Sequence, residues 1–222
     1  MGGELVSQTP EDSTYEQLRG YTRALAVALG FRDMETRFHS ERVLVLSEHM
    51  GERLGLSSEE MGLLRIGAAF HDVGKIGVPD RILLKPSRLD EGETATMHEH
   101  SAIGAEMIVS TQLGGAAAAA TIIRSHHEHW DGSGYPDSLA GEAIPLGARI
   151  VGIADSYDAM AVTRPYHRRR THEEILEVLR LETGKKHDPR LMAVFLEVIE
   201  EPDVRARWGA EGSGGDEGRG AP

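Results

Sequence analysis

The sequence predicts an all-α fold, a single helical-bundle domain followed by a disordered C-terminal tail. Apolar residues recur at intervals of three and four, the spacing of one buried helical stripe, at Val43, Leu46, Met50 and Leu54. Glycine and proline separate one helical pattern from the next. No run of alternating apolar and polar residues is long enough to indicate a strand, which leaves an all-helical domain.

The chain of 222 residues divides into four parts. Residues 1–13 are polar and are expected to be flexible, and residues 14–32 are expected to form an N-terminal helix. Residues 33–201 form the domain itself. Residues 202–222 are rich in glycine and acidic side chains, so we expect this tail to be disordered.

Within the domain, capping residues and chain breaks predict where the helices begin and end. Asp33 is predicted to cap the long helix, and Ser57 with Glu60 three residues later indicates the start of a helix that ends near Phe70. Further helices are predicted over residues 92–110, 116–128, 144–161, 171–181 and 188–199. The segment 130–145 holds five glycine or proline residues and is predicted to be a loop.

Composition narrows the classes of function. The chain has no cysteine, which excludes thiolate metal sites and is compatible with the cytoplasmic location that we expect. A formal net charge of −12 argues against a polymeric nucleic acid as partner, because such a partner requires a basic surface. No signal peptide or spanning segment is expected, and hence no membrane partner. Eleven histidines carry most of the capacity for metal binding.

Two pairs of residues have the chemistry of metal ligands. Glu35 and His39 lie four apart on the long helix, which places both side chains on one face, where they can chelate one ion. His71 and Asp72 follow the apolar helix GLLRIGAAF, where two polar residues are costly unless they are paired. The two oxygens of such an aspartate can bridge two ions. The alternatives are a solvated helix face for the first pair and a polar helix end for the second.

Four more residues extend this pattern. His126 and His127 form an adjacent pair before a glycine-rich loop, and His100 is expected on the inward face of its helix. Asp155 lies in the apolar helix ARIVGIADSYDAM, where a buried carboxylate demands a partner. Surface histidines and a hydrogen-bonded core histidine are the alternatives. Together, five imidazoles and three carboxylates without sulfur suit two or three ions of Mn, Fe, Ni or Zn.

Two stretches of the sequence carry a family resemblance. HDVGKIGVPD at residues 71–80, followed by HHEHWDGSGYP at 126–136, strongly resembles the HD-GYP domain, a subgroup of the HD hydrolase superfamily. The resemblance extends from about Asp33 to Phe195. It implies an all-helical HD-domain bundle that hydrolyses cyclic di-GMP to pGpG or GMP.

The resemblance also implies a set of metal ligands. The residues that match the two-metal site of the family, with Asp72 as the bridge, are His71, Asp72, His100, His126, His127 and Asp155. Glu35 and His39 match the further ligands of members that hold three metals, and members with only two metals lack the glutamate. Glu35 therefore implies a trinuclear site, with iron or manganese as the expected metal and nickel or zinc as alternatives.

For catalysis, the resemblance implies roles for His71, Asp72 and Lys75, with Lys75 contacting the scissile phosphate. Substrate contacts are expected from Lys75, Tyr135, Arg164, Asp158 and Trp130. A metal-activated hydroxide would attack the phosphodiester, while Lys75 and Arg164 add positive charge around the phosphate. Trp130 could stack on guanine or simply pack within the fold, and both interpretations stay open.

Three functional hypotheses follow. The first is a cyclic di-GMP phosphodiesterase, and the second is the same class of enzyme acting on another cyclic or linear dinucleotide, such as cyclic GMP-AMP. His167 stands where many members have Lys or Arg, so it leaves the choice of substrate open. The third is a signalling module that docks partners, such as diguanylate cyclase domains, through the GYP loop. The intact His71–Asp72 pair favours an enzyme.

Overall fold

The computed structural model describes residues 27, 30–31, 34–161 and 170–209, with only the backbone described for 34–37 and 206–209. Within these ranges the chain is helical, which confirms the all-α prediction, and the only β-bridge there joins Thr183 and His187. Two short 3-10 helices span Val73–Gly77 and Gly141–Ala143. The α-helices are α1 (Met34–Leu54), α2 (Ser58–Phe70), α3 (Asp80–Leu83), α4 (Glu91–Val109), α5 (Ala116–Ser125), α6 (Leu146–Ala161), α7 (His172–Glu182), α8 (Pro189–Val198) and α9 (Pro202–Gly209).

Side-chain caps fix the start of several helices. At α2, the Ser57 hydroxyl accepts from the Glu60 amide, and the Glu60 carboxylate accepts from the Ser57 amide, which is the capping box that the sequence predicts. The same reciprocal arrangement begins α4 at Asp90 and α7 at Thr171. The predicted cap Asp33 lies outside the described residues.

A first apolar core joins α1, α2 and α6 to α7 and α8. It contains the predicted stripe of α1, in which Val43, Leu46 and Met50 are fully buried. Burying one such side chain contributes roughly 1.5–3 kcal/mol, so these contacts hold α1 firmly against the rest of the bundle. The position of α1 in turn sets where His39 lies.

A second apolar core joins α2 to α4 and α5 through Ile66, Ile108 and Ile123, among others. Helix α2 contributes to both cores, so its C-terminal end lies where the two packed groups of helices meet. Gly74 follows directly and passes so close to α4 that a Cβ there would overlap the carbonyl oxygen of His100. This close approach, which requires glycine, brings the segment after α2 against the helix that carries His100.

The prediction that the disordered tail begins at residue 202 is wrong for its first residues. Residues from Pro202 continue as α9, and Val204 in this helix is fully buried in the first core. Proline at the first position of a helix and one buried valine outweigh the polar composition of the surrounding residues. Residues 210–222 lie outside the described ranges, as does most of the predicted helix over residues 14–32. Among helices of the described residues, none has both the length and the apolar character needed to cross a membrane.

Candidate metal centre

Helix ends bring two of the predicted pairs to the site. His71 is the C-terminal cap of α2, and His126 is the C-terminal cap of α5. Asp72 and His127 follow as the chain turns away from each helix. The side chains of His71, Asp72 and His126 are almost fully buried. The polar ends of two apolar helices are thus directed into the protein, which is costly unless they find partners there.

Three of the imidazoles are oriented by a backbone carbonyl of their own helix. Nδ1 of His71 lies 2.8 Å from the carbonyl oxygen of Ala68, and Nδ1 of His100 and of His126 each lie 2.6 Å from the carbonyl three residues earlier. A carbonyl oxygen only accepts, so each Nδ1 is the protonated nitrogen and donates. Each Nε2 therefore carries a free lone pair that points away from its helix.

The predicted ligands converge into two groups. In one, ligand atoms of His39, His71 and Asp72 all lie within 4.8 Å of one another. In the other, ligand atoms of His100, His126 and His127 meet the same limit. Nitrogen and oxygen donors so close together are the donor set of a borderline divalent metal ion such as Mn, Fe or Zn.

Two carboxylates lie between the groups. Oδ2 of Asp72 lies 3.5 Å from Nε2 of His71, whereas its Oδ1 lies 3.5 Å from Nε2 of His100. Asp155 does the same, because its Oδ1 lies 3.0 Å from Nε2 of His39 and its Oδ2 lies 4.0 Å from Nδ1 of His127. Each carboxylate thus presents one oxygen to each group, which is the geometry required of a bridge between two ions.

Buried nitrogen atoms provide a test of whether a metal fits. Nε2 of His100 and Nε2 of His126 are buried, and neither has a hydrogen-bond partner among the residues that the structure describes. An unsatisfied buried polar atom costs about 1–3 kcal/mol, so two of them side by side indicate a missing partner. A divalent metal ion accepts both lone pairs, so the residues present fit a metal centre.

His39 is the exception in how it is oriented. Its Nδ1 lies 2.7 Å from Oδ2 of Asp158 on α6, and Asp158 in turn accepts two hydrogen bonds from the guanidinium of Arg42. Nε2 of His39 is thereby turned toward the centre, where it lies 3.2 Å from Nε2 of His71. The ring of His39 is therefore oriented by a side chain on another helix, whereas the other three imidazoles are oriented by a carbonyl of their own helix.

The two kinds of imidazole differ in basicity. Burial lowers the pKa of His71, His100 and His126, in His126 well below its usual value, and it lowers the pKa of His127 to about 3. These rings are neutral at pH 7, as metal ligands must be. Burial also acts on His39, but its hydrogen bonds to Asp155 and Asp158 outweigh it and raise the pKa of His39 to about 9.

The two carboxylates that lie between the groups are ionised. Burial opposes the ionisation of Asp72, but the positive charge of Lys75 outweighs it and holds the pKa of Asp72 well below its usual range. Burial likewise opposes the ionisation of Asp155, where the hydrogen bond from His39 outweighs it and lowers the pKa of Asp155. The centre thus offers two negative charges to a cation.

A short buried network supports the loop that follows His127. Oε1 of Glu128 accepts from the amide of Asp137 at 2.6 Å, and Oε2 accepts from the amide of Leu139 at 3.0 Å. A Cβ at Gly134 would lie 2.5 Å from Cα of Glu128, so only glycine fits there. These contacts hold Tyr135 against the site, where its ring lies 4.8 Å from that of His127 and stacks on His98 at 3.6 Å.

Two of the expected substrate contacts lie at the centre. Nζ of Lys75 lies 2.6 Å from Oδ2 of Asp72, which places its positive charge beside the ligand groups. Burial raises the pKa of Tyr135, so its hydroxyl stays protonated and can donate a hydrogen bond. Arg164 lies outside the described residues, and Glu35 belongs to α1 but its side chain lies outside them as well.

Asp158 and Trp130, the other two expected substrate contacts in the described residues, have partners within the protein. Asp158 was expected to contact substrate, but its side chain is 1% exposed and both oxygens are bonded to Arg42 and His39. The ring of Trp130 lies 5.7 Å from the guanidinium of Arg149, and its amide donates to the carbonyl of Lys186. This placement favours the packing interpretation of Trp130 over stacking on guanine.

Sequence reasoning missed Arg42, His98 and Glu128. A signal existed for Arg42, since it follows His39 by three residues and such residues share a helix face. Glu128 directly follows the His126–His127 pair, and a carboxylate beside buried ligands is a candidate for holding the adjacent loop. The stacking of His98 on Tyr135 depends on how the loop folds over α4, which no local pattern reveals.

Comparisons with known proteins agree with this geometry. A family model described as an HD domain matches residues 11–191. The chain is 42% identical over 181 residues to the cyclic di-GMP phosphodiesterase response regulator RpfG of Xanthomonas campestris, covering 82% of this chain and 48% of that protein. It is 40% identical over 190 residues to a cyclic di-GMP phosphodiesterase of Thermotoga maritima, covering 85% and 52%. The chain spans about half the length of these two relatives.

Another curated relative carries a different substrate in its name. The 3'3'-cGAMP-specific phosphodiesterase 2 of Vibrio cholerae is 38% identical over 177 residues, covering 80% of this chain and 34% of that protein. Among solved structures, a cyclic GMP-AMP specific phosphodiesterase of V. cholerae has a TM-score of 0.66 at 22% identity, covering 88% of this chain and 50% of that one. The HD domain of the L. monocytogenes phosphodiesterase PgpH, in complex with cyclic-di-AMP, has a TM-score of 0.60 at 18% identity, covering 88% and 99%. These structural matches support the fold.

Proposed function

Since the chain belongs to the HD domain family, as its HD and GYP motifs indicated, we propose that it is a metal-dependent phosphodiesterase that hydrolyses cyclic di-GMP to pGpG or GMP. The observation that carries the proposal is the pair of ligand groups with Asp72 and Asp155 between them. Relatives at 42% and 40% identity that are named cyclic di-GMP phosphodiesterases support the choice of substrate.

Iron or manganese is the metal that we propose, in two or three ions per chain. The donor set is nitrogen and oxygen without sulfur, which favours these metals over soft ones, with nickel and zinc as alternatives. When bound, two such ions lower the pKa of a water molecule, supply the attacking nucleophile and neutralise charge on the phosphate. A third ion would require Glu35 beside His39, as the resemblance implied.

The chain's own residues have distinct tasks in this proposal. Asp72 and Asp155 provide the negative charge that holds the cations, and the neutral imidazoles complete their ligand shells. Lys75, 23% exposed and beside Asp72, contributes a fixed positive charge to the scissile phosphate. Tyr135, with a protonated hydroxyl and a ring held by His98, offers a hydrogen bond and a flat face to the nucleotide.

A second candidate substrate is a mixed cyclic dinucleotide. The relative named as 3'3'-cGAMP-specific, at 38% identity over 80% of this chain, is the observation that favours it. Both substrates present the same phosphodiester to Lys75, so the two hypotheses differ only in base recognition. Docking of diguanylate cyclase domains through the GYP loop and a cytoplasmic location stay predictions.

A turnover assay with several dinucleotides tests the proposal. The manganese- or iron-loaded protein is incubated with cyclic di-GMP, 3'3'-cyclic GMP-AMP and cyclic di-AMP in parallel, and products are separated by chromatography. We expect pGpG or GMP from cyclic di-GMP and none after treatment with EDTA. His49→Ala, which changes a histidine on α1 bonded to Val45 and Asp203, is the matched control and should retain turnover. Metal-loaded protein without turnover of cyclic di-GMP would contradict the proposed substrate.

A further inference from the structure

We propose that Arg42 and Asp158 are positioning residues that aim the imidazole of His39 at the metal centre. The inference rests on the proposed metal-dependent function, since it concerns one ligand of that site. Asp158 thereby has a role different from the substrate contact expected from the sequence, and Arg42 has a role that was not expected from the sequence.

Two residues of α1, Arg42 and His39, both form hydrogen bonds to Asp158 on α6. Arg42 donates from Nε to Oδ1 of Asp158 at 2.6 Å and from Nη2 to Oδ2 at 2.9 Å. Oδ2 of Asp158 also lies 2.7 Å from Nδ1 of His39. A carboxylate only accepts when ionised, so Nδ1 of His39 is the donor. The nitrogen that remains for a metal is Nε2, which lies 3.0 Å from Oδ1 of Asp155.

Arg42 is required because Asp158 is buried. The side chain of Asp158 is 1% exposed, and an isolated carboxylate at such a place would take up a proton rather than stay charged. Burial does oppose its ionisation, but the hydrogen bonds from His39 and Arg42 outweigh burial and lower the pKa of Asp158. The two-pronged contact also fixes the plane of the carboxylate, which a single bond would leave free to rotate.

His39 has more need of such support than the other ligands. His71, His100 and His126 each donate Nδ1–H to a carbonyl three residues earlier in their own helix, so forming the helix orients the ring. His39 donates instead to a side chain on another helix. A carboxylate that holds a ligating histidine fixes its tautomer and raises its basicity, and removing such a partner weakens metal binding by about 10–100-fold.

The experiment measures binding of Mn²⁺ alone, without a nucleotide. Protein stripped with EDTA is titrated with Mn²⁺, and bound ions are counted by mass spectrometry after equilibrium dialysis. In Asp158→Asn and Arg42→Gln, we expect the Mn²⁺ equivalent that depends on His39 to bind about 10–100-fold more weakly. Arg42→Lys keeps the charge but loses the two-pronged geometry, so its affinity should fall between those of Arg42→Gln and the wild type.

Arg149→Gln is the matched control. Arg149 forms an ion pair with Asp188 at 2.7 Å, and the two side chains are 15% and 3% exposed, against 15% and 1% for Arg42 and Asp158. Both substitutions therefore remove a half-buried guanidinium from an almost fully buried aspartate. We expect a similar loss of thermal stability in both variants, but weaker Mn²⁺ binding only in Arg42→Gln.

A double-mutant cycle with His39→Ala separates positioning from general damage. If Arg42 acts through His39, Arg42→Gln should weaken Mn²⁺ binding in the wild type and have no further effect in His39→Ala. Equal losses in both backgrounds, or unchanged Mn²⁺ binding in a folded Arg42→Gln, would overturn the inference. If Arg42→Gln does not fold, the same cycle is made with Arg42→Lys. Absence of cyclic di-GMP turnover would leave this result intact, because binding of Mn²⁺ is measured without substrate.

Discussion

His71, His100 and His126 differ from His39 in what orients them. Each of the first three rings is held by a carbonyl of its own helix, with Nδ1 at 2.6–2.8 Å from the oxygen. His39 is held by Asp158, which belongs to α6, some 119 positions away in the chain. The first kind of ligand is oriented as soon as its helix forms. The second exists only when α1 has packed in register against α6.

This difference indicates that the two ligand groups respond differently to change. The imidazoles of His100, His126 and His127 come from α4 and from the residues that directly follow α5. The group of His39, His71 and Asp72 also needs α1 and, through Asp158, α6. Substitutions far from the centre that shift α1 should therefore weaken metal binding by the group of His39, His71 and Asp72 before they weaken binding by the other group.

The largest effect is expected from removing a ligand oriented by the backbone. His126→Ala deletes a ring whose Nε2 is buried among the ligand atoms of His100, His126 and His127. We expect loss of metal and a fall in cyclic di-GMP turnover on the order of a thousandfold, since metal assistance is worth several kcal/mol. Steady-state turnover of His126→Ala and of the control His49→Ala measures it, and wild-type activity in His126→Ala would refute the assignment of this ligand.

A smaller effect, confined to the group of His39, His71 and Asp72, is expected from Glu35→Ala. Glu35 lies one turn before His39 on α1. The resemblance to the HD-GYP family implies that it binds a third ion beside His39. The expected result is a loss of one metal equivalent while the others are retained, measured by metal analysis of the purified protein. A metal count equal to that of the wild type would show that no third ion depends on Glu35.

In metal-free protein, His39 and His127 should change the stability in opposite directions as the pH is varied. His39 has a pKa of about 9 when folded, so its contribution to stability is complete below about pH 6.5 and is lost as the pH rises through 9. His127, with its pKa lowered to about 3, acts in the opposite sense. The unfolded chain takes up protons below about pH 6.5 while the folded chain does not, so stability is lost as the pH falls toward 3.

The free energy of unfolding of EDTA-treated protein should therefore be largest near neutral pH and fall on both sides. Chemical denaturation at a series of pH values measures this profile. His39→Ala should remove most of the alkaline decline and leave the acid decline in place. An alkaline decline that is unchanged in His39→Ala would contradict the role of Asp155 and Asp158 as its charged partners.

The smallest effect is expected at Trp130, which supports the chain after His127. Its ring over Arg149 contributes about 0.5–2 kcal/mol as a cation–π contact. Trp130→Leu should lower the free energy of unfolding by that order and leave KM for cyclic di-GMP unchanged. A large rise in KM with little change in stability would instead support the interpretation that Trp130 stacks on guanine.

Local patterns predicted the helices that carry the centre. Ser57 with Glu60 marked the start of α2, and the apolar runs marked the helices whose ends carry His71 and His126. These features depend on sequence neighbours, and the physics that produces them acts over one or two helical turns.

Features that depend on the packing of distant helices were not predicted. The partners of Asp158 lie on α1, 116 and 119 positions away, so its burial and its bonds to Arg42 and His39 have no local signal. The helix α9 was missed because the polar composition of the tail concealed one buried residue, Val204. Side-chain contacts between helices that are distant in the sequence depend on how those helices pack, so they are seen only in the folded structure.

The number of metal ions bound per chain tests the central claim most directly, because two ligand groups with Asp72 between them should hold two ions or more. Wild-type protein and Asp72→Ala are loaded with the same excess of Mn²⁺, desalted and analysed for bound metal. We expect at least two equivalents in the wild type and a clear loss in Asp72→Ala. A single equivalent in the wild type, or an equal count in both proteins, would contradict a centre bridged by Asp72.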